Sequence, residues 1–432
     1  MIDIDNRNVG FKKTKLGWIP KDWEVVKTDV FVELLSGYAF KSKNYLDNCD
    51  GLKLLRGDNI MQGFFRWSGA KYWSKENTDD LLKYFLKEND LVIAMDRTWV
   101  SKGLKVAVLS KNDLPCLLVQ RVSRLRVKAG LKQELLPYFF SSHRFEQYVK
   151  GVQKESAVPH ISSKQIKDYL IPYPPLPEQQ KIATILSTWD TAIEKMGQLI
   201  EAKEEQKKGL TQRLLTGKVR FQEFVKSKKS FKTKFGNYPE DWNYPKIGEI
   251  AKGVVVKNTN GADLPVLSCT KHYGLVDSLK YFGKQIYSKD TSPYKVVSRG
   301  QFAYATNHIE EGSIGYQDLY EKALISPMYT AFETNERVND YFLFKVLKTP
   351  LYIHIYQANT SASVDRRGSL RWKSFSLIHI PLPTLEEQNK IALVIKESEN
   401  EIKLLQNKMD ALKEQKKGLM QRLLTGKIRV KI

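Results

Sequence analysis

Glu205–Arg220 reads EQKKGLTQRLLTGKVR, and Glu414–Arg429 reads EQKKGLMQRLLTGKIR. Fourteen of the sixteen positions are identical; the other two exchange Thr211 for Met420 and Val219 for Ile428. At the same offset of 209 residues, Ile171-Pro172-Tyr173-Pro174-Pro175-Leu176-Pro177-Glu178-Gln179 matches Ile380-Pro381-Leu382-Pro383-Thr384-Leu385-Glu386-Glu387-Gln388 without a gap. One unit of about fifty residues is therefore used twice, and a repeat of this kind governs the fold.

Between the matched ends lies helix. Pro177 suits a first turn and is followed by Glu178, Gln179 and Gln180. Apolar residues then recur at spacings of three and four: Ile182, Ile185, Leu186, Trp189, Ile193, Met196, Leu199 and Ile200, resuming at Leu210, Leu214 and Leu215. The second copy supplies Ile391, Val394, Ile395, Ile402, Leu405, Met409, Leu412, Leu419, Leu423 and Leu424. A stripe sustained over several heptads predicts a coiled-coil-like helix, and Gly217 and Gly426 stand where a left-handed cap ends it. Each helix would run about forty residues, roughly 60 Å at 1.5 Å per residue. Unrelated amphipathic helices would not share offset, register and cap. Neither copy can bury its stripe alone, and the other is the nearest partner.

The duplication reaches further. Leu16-Gly17-Trp18-Ile19-Pro20-Lys21-Asp22-Trp23 returns as Phe235-Gly236-Asn237-Tyr238-Pro239-Glu240-Asp241-Trp242 at an offset of 219. The chain thus divides into a first variable domain (1–170), a first long-helix region (171–218), a basic linker (219–235), a second variable domain (236–379) and a second long-helix region (380–432). Residues 1–16 are polar and basic and are expected to begin irregularly. Strand-like runs cover Leu52–Arg56, Leu91–Met95, Lys105–Leu109 and Val119–Val127, then Pro265–Cys269, Phe302–Thr306 and Tyr329–Glu333. Each variable region closes on a helix-like segment, near Leu135–Val149 and Asp340–Ile355. The expected class is α+β, two α+β domains alternating with two long helices. The helices are nearly the same, whereas the domains have drifted until only scattered positions align. Asp90-Leu91-Val92 falls near Gly300-Gln301-Phe302, and Ile161-Ser162 near Leu370-Arg371. If both domains bind one kind of partner, they should read different features of it.

A chain of 432 residues with 42% hydrophobic content is long enough for two or three domains with real cores. Lysine and arginine number 70 against 48 acidic residues, giving +22. That excess points to a polyanion partner, most often nucleic acid. Cys49, Cys116 and Cys269 form no C-x-x-C pair, which supports neither a disulfide framework nor a zinc site and fits a reducing cytoplasm. No signal-type core and no run of eighteen apolar residues is present, so secretion and membrane insertion are not expected.

Catalytic signatures are missing. There is no G-x-x-x-x-G-K-[ST] loop and no G-x-G-x-x-G turn opening a helix. Tyr173-Pro174-Pro175 has the proline pair of an amino-methyltransferase motif, but Pro172 stands where an Asn or Asp is needed. Its counterpart, Leu382-Pro383-Thr384, breaks the pattern, so the stretch reads as structural. His143, His160, His272, His308, His354 and His379 form no metal-spaced cluster, and no metal is expected.

The proline-rich lead-in followed by E-Q-x-K-I-A, and the exit Gln212-Arg213-Leu214-Leu215-Thr216-Gly217-Lys218 repeated at Gln421–Lys427, resemble the specificity subunits of type I restriction-modification systems. The resemblance covers essentially the whole chain. It implies two target recognition domains, each reading one half of an asymmetric bipartite DNA site. It also implies long helices packed as an antiparallel coiled coil in a pseudo-twofold arrangement, which set the spacing. Two DNA methyltransferase (modification) subunits would dock on the helices and carry S-adenosylmethionine and adenine-N6 chemistry. Restriction/motor subunits would complete the complex, and this chain would hold no cofactor and catalyse nothing. The alternatives are the separated specificity portion of a self-sufficient DNA methyltransferase, and a coiled-coil scaffold without a DNA role.

Base reading needs Arg, Lys, Asn, Gln or His on loops that enter the major groove. In the first domain these are Arg56, Arg97, Lys102, Arg121 and His160. In the second they are Lys271, His272, Asn307, His308, Arg366, Arg367 and Arg371. Arg56 and Lys271 fall at matching strand-to-loop points in a coarse alignment. Trp67, Trp73 and Trp99 are expected to pack rather than to stack on bases.

Overall fold

The computed structural model describes residues 10–47, 49–76, 78–101, 103–154, 159–360 and 369–432. The chain forms two compact units, Met1–Gly197 with Asn407–Ile432, and Gln198–Gln406. These boundaries run through the long helices, which the sequence reading sets apart as segments of their own. The physical reason is burial: each unit closes its core with part of each helix.

In the first unit, six strands make the frame: β1 (Val32–Ser36), β2 (Leu52–Leu55), β3 (Leu91–Ala94), β4 (Val106–Val108), β5 (Cys116–Leu118) and β6 (Val122–Val127). They build an antiparallel sheet in the order β4-β3-β6-β1. A second sheet pairs β5 parallel to β2. Leu-Val-Ile-Ala in β3 is buried throughout because the strand lies between two cores. Leu91 and Ile93 join the cluster holding Phe139, Phe140 and Phe145, while Val92 and Ala94 join Leu118 and Val122. A strand covered on both faces reads as a continuous apolar run, which is why it was legible. Helix α1 (Leu176–Leu215) follows.

The second unit repeats the frame with β7 (Ala251–Val254), β8 (Val266–Thr270), β9 (Phe302–Ala305), β10 (Ile314–Tyr316), β11 (Lys322–Ile325) and β12 (Tyr329–Thr334). Its sheet runs β10-β9-β12-β7, and β8 pairs parallel to β11. Phe302 and Tyr304 meet Phe332, Phe342 and Phe375 on one face, and Ala303 meets Leu267 and Ile325 on the other. Helix α2 (Leu385–Leu424) ends the chain's regular structure.

Three local expectations change. The helix-like segment at Leu135–Val149 is two helices, Leu136–Phe140 and His143–Lys154. The break falls at Ser141-Ser142, where the Ser142 hydroxyl accepts from the Phe145 amide at 3.2 Å and restarts the helix. Its counterpart likewise splits into Asp340–Leu347 and Pro350–Thr360, with proline opening the second piece. The supposedly irregular start and basic linker both contain ribbons: Phe11–Thr14 pairs with Gly17–Pro20, and Ser230–Thr233 with Gly236–Pro239. Lysine-rich strands of this kind alternate with half-buried residues on a short, two-sided ribbon, so composition alone hides them.

Both long helices run 40 residues, to Leu215 and Leu424, and Gly217 and Gly426 follow, each at φ +67°. Within the first unit, Ile182, Ala183 and Leu186 of α1 pack in one cluster with Met420, Leu423 and Leu424 of α2, and Asp190 pairs with Lys416. Within the second, Leu214 and Leu215 pack with Ile391, Ala392 and Ile395. There Lys203 meets Glu401 at 2.7 Å and Lys207 meets Glu399 at 3.8 Å, so the segments run antiparallel. Of the expected interface positions, Ile182, Leu186, Ile200, Leu214, Ile391, Ile395, Ile402 and Leu423 are buried. Trp189, Ile193, Met196, Leu210, Leu405, Met409, Leu412 and Leu419 are half-buried, whereas Leu199 is exposed. No helix among the described residues is long and apolar enough to cross a membrane.

The repeated motifs converge on one clamp per unit. In the second unit Arg220 donates from Nε and Nη2 to both oxygens of Glu387 at 2.8 Å, and from Nη1 to Asp241 at 2.6 Å. Trp242 Nε1 donates to the same Glu387 carboxylate at 3.1 Å. In the first unit Arg429 holds Glu178 and Asp22, and Trp23 Nε1 donates to Glu178 at 2.6 Å. The exit of one helix is thus fastened to the start of the other.

Candidate nucleic-acid interface

In the first unit the site forms where β3 runs out. Thr98 turns back and donates its buried hydroxyl to the carbonyls of Ala94 and Met95, at 2.5 and 3.1 Å, fixing the bend. The bend puts Asp96 and Arg97 at the surface, Arg97 at φ +47°. Arg121, itself at φ +64°, donates to Asp96 Oδ2 at 2.6 Å, and His160 Nδ1 lies 2.7 Å from Oδ1. Burial alone would raise the Asp96 carboxyl, but these hydrogen bonds outweigh it and hold the group below the usual carboxylate range. Arg56 pairs with Asp58 at 3.2 Å. The sequence-named residues Arg56, Arg97 and Arg121 therefore come from loops at strand ends, and His160 from the segment between the helices His143–Lys154 and Ser163–Asp168, where it bridges to Asp96; Lys102 lies outside the described residues.

Sequence reasoning missed Lys105, one residue before β4. Half-buried, its ammonium is pushed down chiefly by desolvation; Asp58 opposes the shift, and Arg97 and Arg66 add to it. Among the described residues the Lys105 ammonium has no hydrogen-bonded or ion-paired partner. A lysine opening a strand looks like a solvated edge residue in sequence, which explains the omission.

The second unit carries the same backbone frame. Ile161 N donates to Met95 O at 2.9 Å, and Leu370 N to Thr306 O at 3.1 Å. Ala94 N donates to Lys105 O at 3.1 Å, and Ala305 N to Ser313 O at 3.0 Å. Met95 N meets Arg121 O at 2.8 Å, where Thr306 Oγ1 meets Met328 O at 2.7 Å. Asp96 thus corresponds to Asn307, Arg97 to His308, Lys105 to Ser313, Arg121 to Met328 and His160 to Ser369. Asn307 and His308 were named from sequence; Ser313, Met328 and Ser369 were not.

Arg56 and Lys271 both follow a strand but do not correspond. Leu55 sits opposite Leu118, and Leu267 opposite Ile325, so Arg56 matches Ser268. The strand β8 runs on into a hairpin whose tip holds Lys271 and His272, both exposed. Arg371 is exposed at the start of the turn Trp372–Phe375, next to the Leu370 contact. Arg366 and Arg367 lie outside the described residues. His308 pairs with Glu311 at 3.7 Å, and with Glu310 these side chains bring ligand atoms within 4.8 Å of one another. The sequence reading found no metal-spaced cluster among the histidines; here His308 and Glu311 are exposed and Glu310 is half-buried, its enclosed Oε2 having no hydrogen-bond partner among the described residues.

Beneath the second site, Lys348 Nζ donates to the carbonyls of Lys271 at 2.6 Å and Gly312 at 2.8 Å. It ties the hairpin tip to the turn after β9, and burial pushes its ammonium down. Lys348→Met should leave those carbonyls unpaired at a cost of about 1–3 kcal/mol. Faster amide exchange at residues 271–274 and 308–312 would show it; unchanged exchange would deny the tie. The tryptophans pack as expected: Trp67 donates to Asp113 at 2.8 Å, Trp73 meets Phe40, and Trp99 lies under Lys150.

One loop cluster on one β frame is thus present twice, with unlike side chains. The family model of the type I restriction modification DNA specificity domain matches residues 20–204 and again 222–414, and the chain belongs to that family. It is 36% identical over 184 residues to the EcoAI type I restriction enzyme specificity subunit of Escherichia coli, a match covering 42% of this chain and 29% of that one. A Methanocaldococcus jannaschii protein described as the MjaX type I restriction enzyme specificity subunit is 27% identical, over 98% of this chain and 97% of its own. The crystal structure of a type I restriction-modification S subunit from M. genitalium shares the fold, with TM-score 0.51 at 14% identity, covering 93% of this chain and 96% of that one.

Proposed function

We propose that this chain reads DNA sequence for a type I restriction-modification complex, each recognition domain taking one half of a bipartite site. The observation carrying this reading is the doubled loop cluster: one frame, one set of loop positions, two different sets of side chains. In this reading α1 and α2 set the gap between half-sites and dock two DNA methyltransferase subunits. Those partners bring S-adenosylmethionine and adenine-N6 methylation, restriction/motor subunits join them, and the chain itself is non-catalytic and works in the cytoplasm.

Sequencing methylated positions in DNA exposed to the chain with the methyltransferase subunits of its host tests this. The expected result is two fixed half-sites across a fixed gap. Inserting residues before Leu215 or Leu424 should change the gap and leave both half-sites unaltered. A gap indifferent to helix length would remove the ruler from the proposal.

A further inference from the structure

The two corresponding sites differ in one consistent way. At the matched positions the first offers Arg97, Lys105 and Arg121, with Asp96 engaging Arg121 and His160. The second offers His308, Ser313 and Met328, with Asn307 in place of the carboxylate. Among the described residues Arg97 and Lys105 have no ion pair, so two cations stand free in the first cluster. In the second, Met328 takes the place of Arg121 and is 63% exposed. An exposed methionine at a loop position fixed by its own backbone hydrogen bond does not serve the core, which leaves it available to an apolar ligand surface.

The chemistry of base edges sorts these sets. Guanine shows two acceptors, O6 and N7, in the major groove and is matched by arginine or lysine. Adenine shows one donor and one acceptor and is matched by the asparagine amide, and thymine adds a methyl group that takes apolar contacts. We propose that the first domain reads a G·C-rich half-site, with guanines against Arg97 and Lys105, and the second an A·T-richer one, with adenine against Asn307 and a thymine methyl against Met328. This rests on the reading of both domains as DNA readers.

The test uses the chain assembled with its methyltransferase subunits and reads the methylated sequences of wild type, Arg97→Ala, Lys105→Met and Met328→Arg. In the wild type, one half-site should hold at least two G·C pairs and the other fewer. Arg97→Ala and Lys105→Met should each lower the guanine preference at one position of the G·C-rich half by about tenfold, leaving the other half alone. Met328→Arg should move the preference of the A·T-richer half toward guanine. Equal G·C content in both halves, or an Arg97→Ala loss that is uniform over all sequences as for a phosphate contact, would overturn the assignment while leaving the two-reader function intact. Methylation without any bipartite pattern would instead bring down the DNA-reading function, and this inference with it.

Discussion

Glu387→Ala will destabilise the second unit by roughly 3–5 kcal/mol, the loss typical of breaking a buried ion pair from one side. Arg220 is only 7% exposed and Glu387 is fully enclosed. Without the carboxylate, the guanidinium keeps Asp241 and the Phe224 carbonyl, but its two bonds to Glu387 vanish and Trp242 Nε1 loses its acceptor. Water cannot easily replace them. The corresponding change, Glu178→Ala, will cost less. Arg429 is 41% exposed and Asp22 51% exposed, so solvent and Asp22 can take up the freed cation. Hydrogen exchange of the amides around residues 220–242 and 385–392, compared with those around 18–24 and 176–183, separates the two effects. Equal losses at both clamps would mean that burial of the arginine does not set the cost.

These clamps also show where sequence reading stops. Every residue in them lies in a motif that was recognised as repeated: Asp22-Trp23 and Asp241-Trp242, Glu178 and Glu387, Arg220 and Arg429. What could not be read was that the three motifs meet, because Asp22 and Arg429 are 407 residues apart. A charged residue kept in both copies beside apolar neighbours was the available signal. The long helices were legible because a period of three and four survives over 40 residues. β3 and β9 were legible because burial on both faces leaves an unbroken apolar run. Lys105 and Met328 were not, since their meaning depends on which carbonyl lies opposite which amide across loops of unequal length. The same cause misled the pairing of Arg56 with Lys271: the extra length of β8 shifts the hairpin tip, and only the register with β11 reveals it.

Gly37→Ala should cost the first unit at least about 3 kcal/mol, above the usual range for an added methyl group, because nothing soft can move aside. An added Cβ would stand 2.1 Å from the Val119 carbonyl oxygen and 2.8 Å from that of Leu118. Both neighbours are backbone, held by Tyr38 N to Leu118 O at 3.0 Å and Gln120 N to Tyr38 O at 2.8 Å. Relief requires moving the segment Val119–Arg121 as a whole. That segment aims Arg121 at Asp96, so the first domain's recognition should fail along with its stability. Gly315→Ala puts the same strain on the second unit, with a Cβ 2.2 Å from the Leu275 amide nitrogen in the hairpin that carries Lys271 and His272. In each unit a glycine lets the two sheets touch backbone to backbone, and a loop of the candidate interface springs from that junction. Each substitution should therefore lower one thermal transition and abolish methylation specificity at one half-site, a different half for each. A Gly37→Ala protein with unchanged melting, or one that loses both half-sites equally, would separate the junction from recognition.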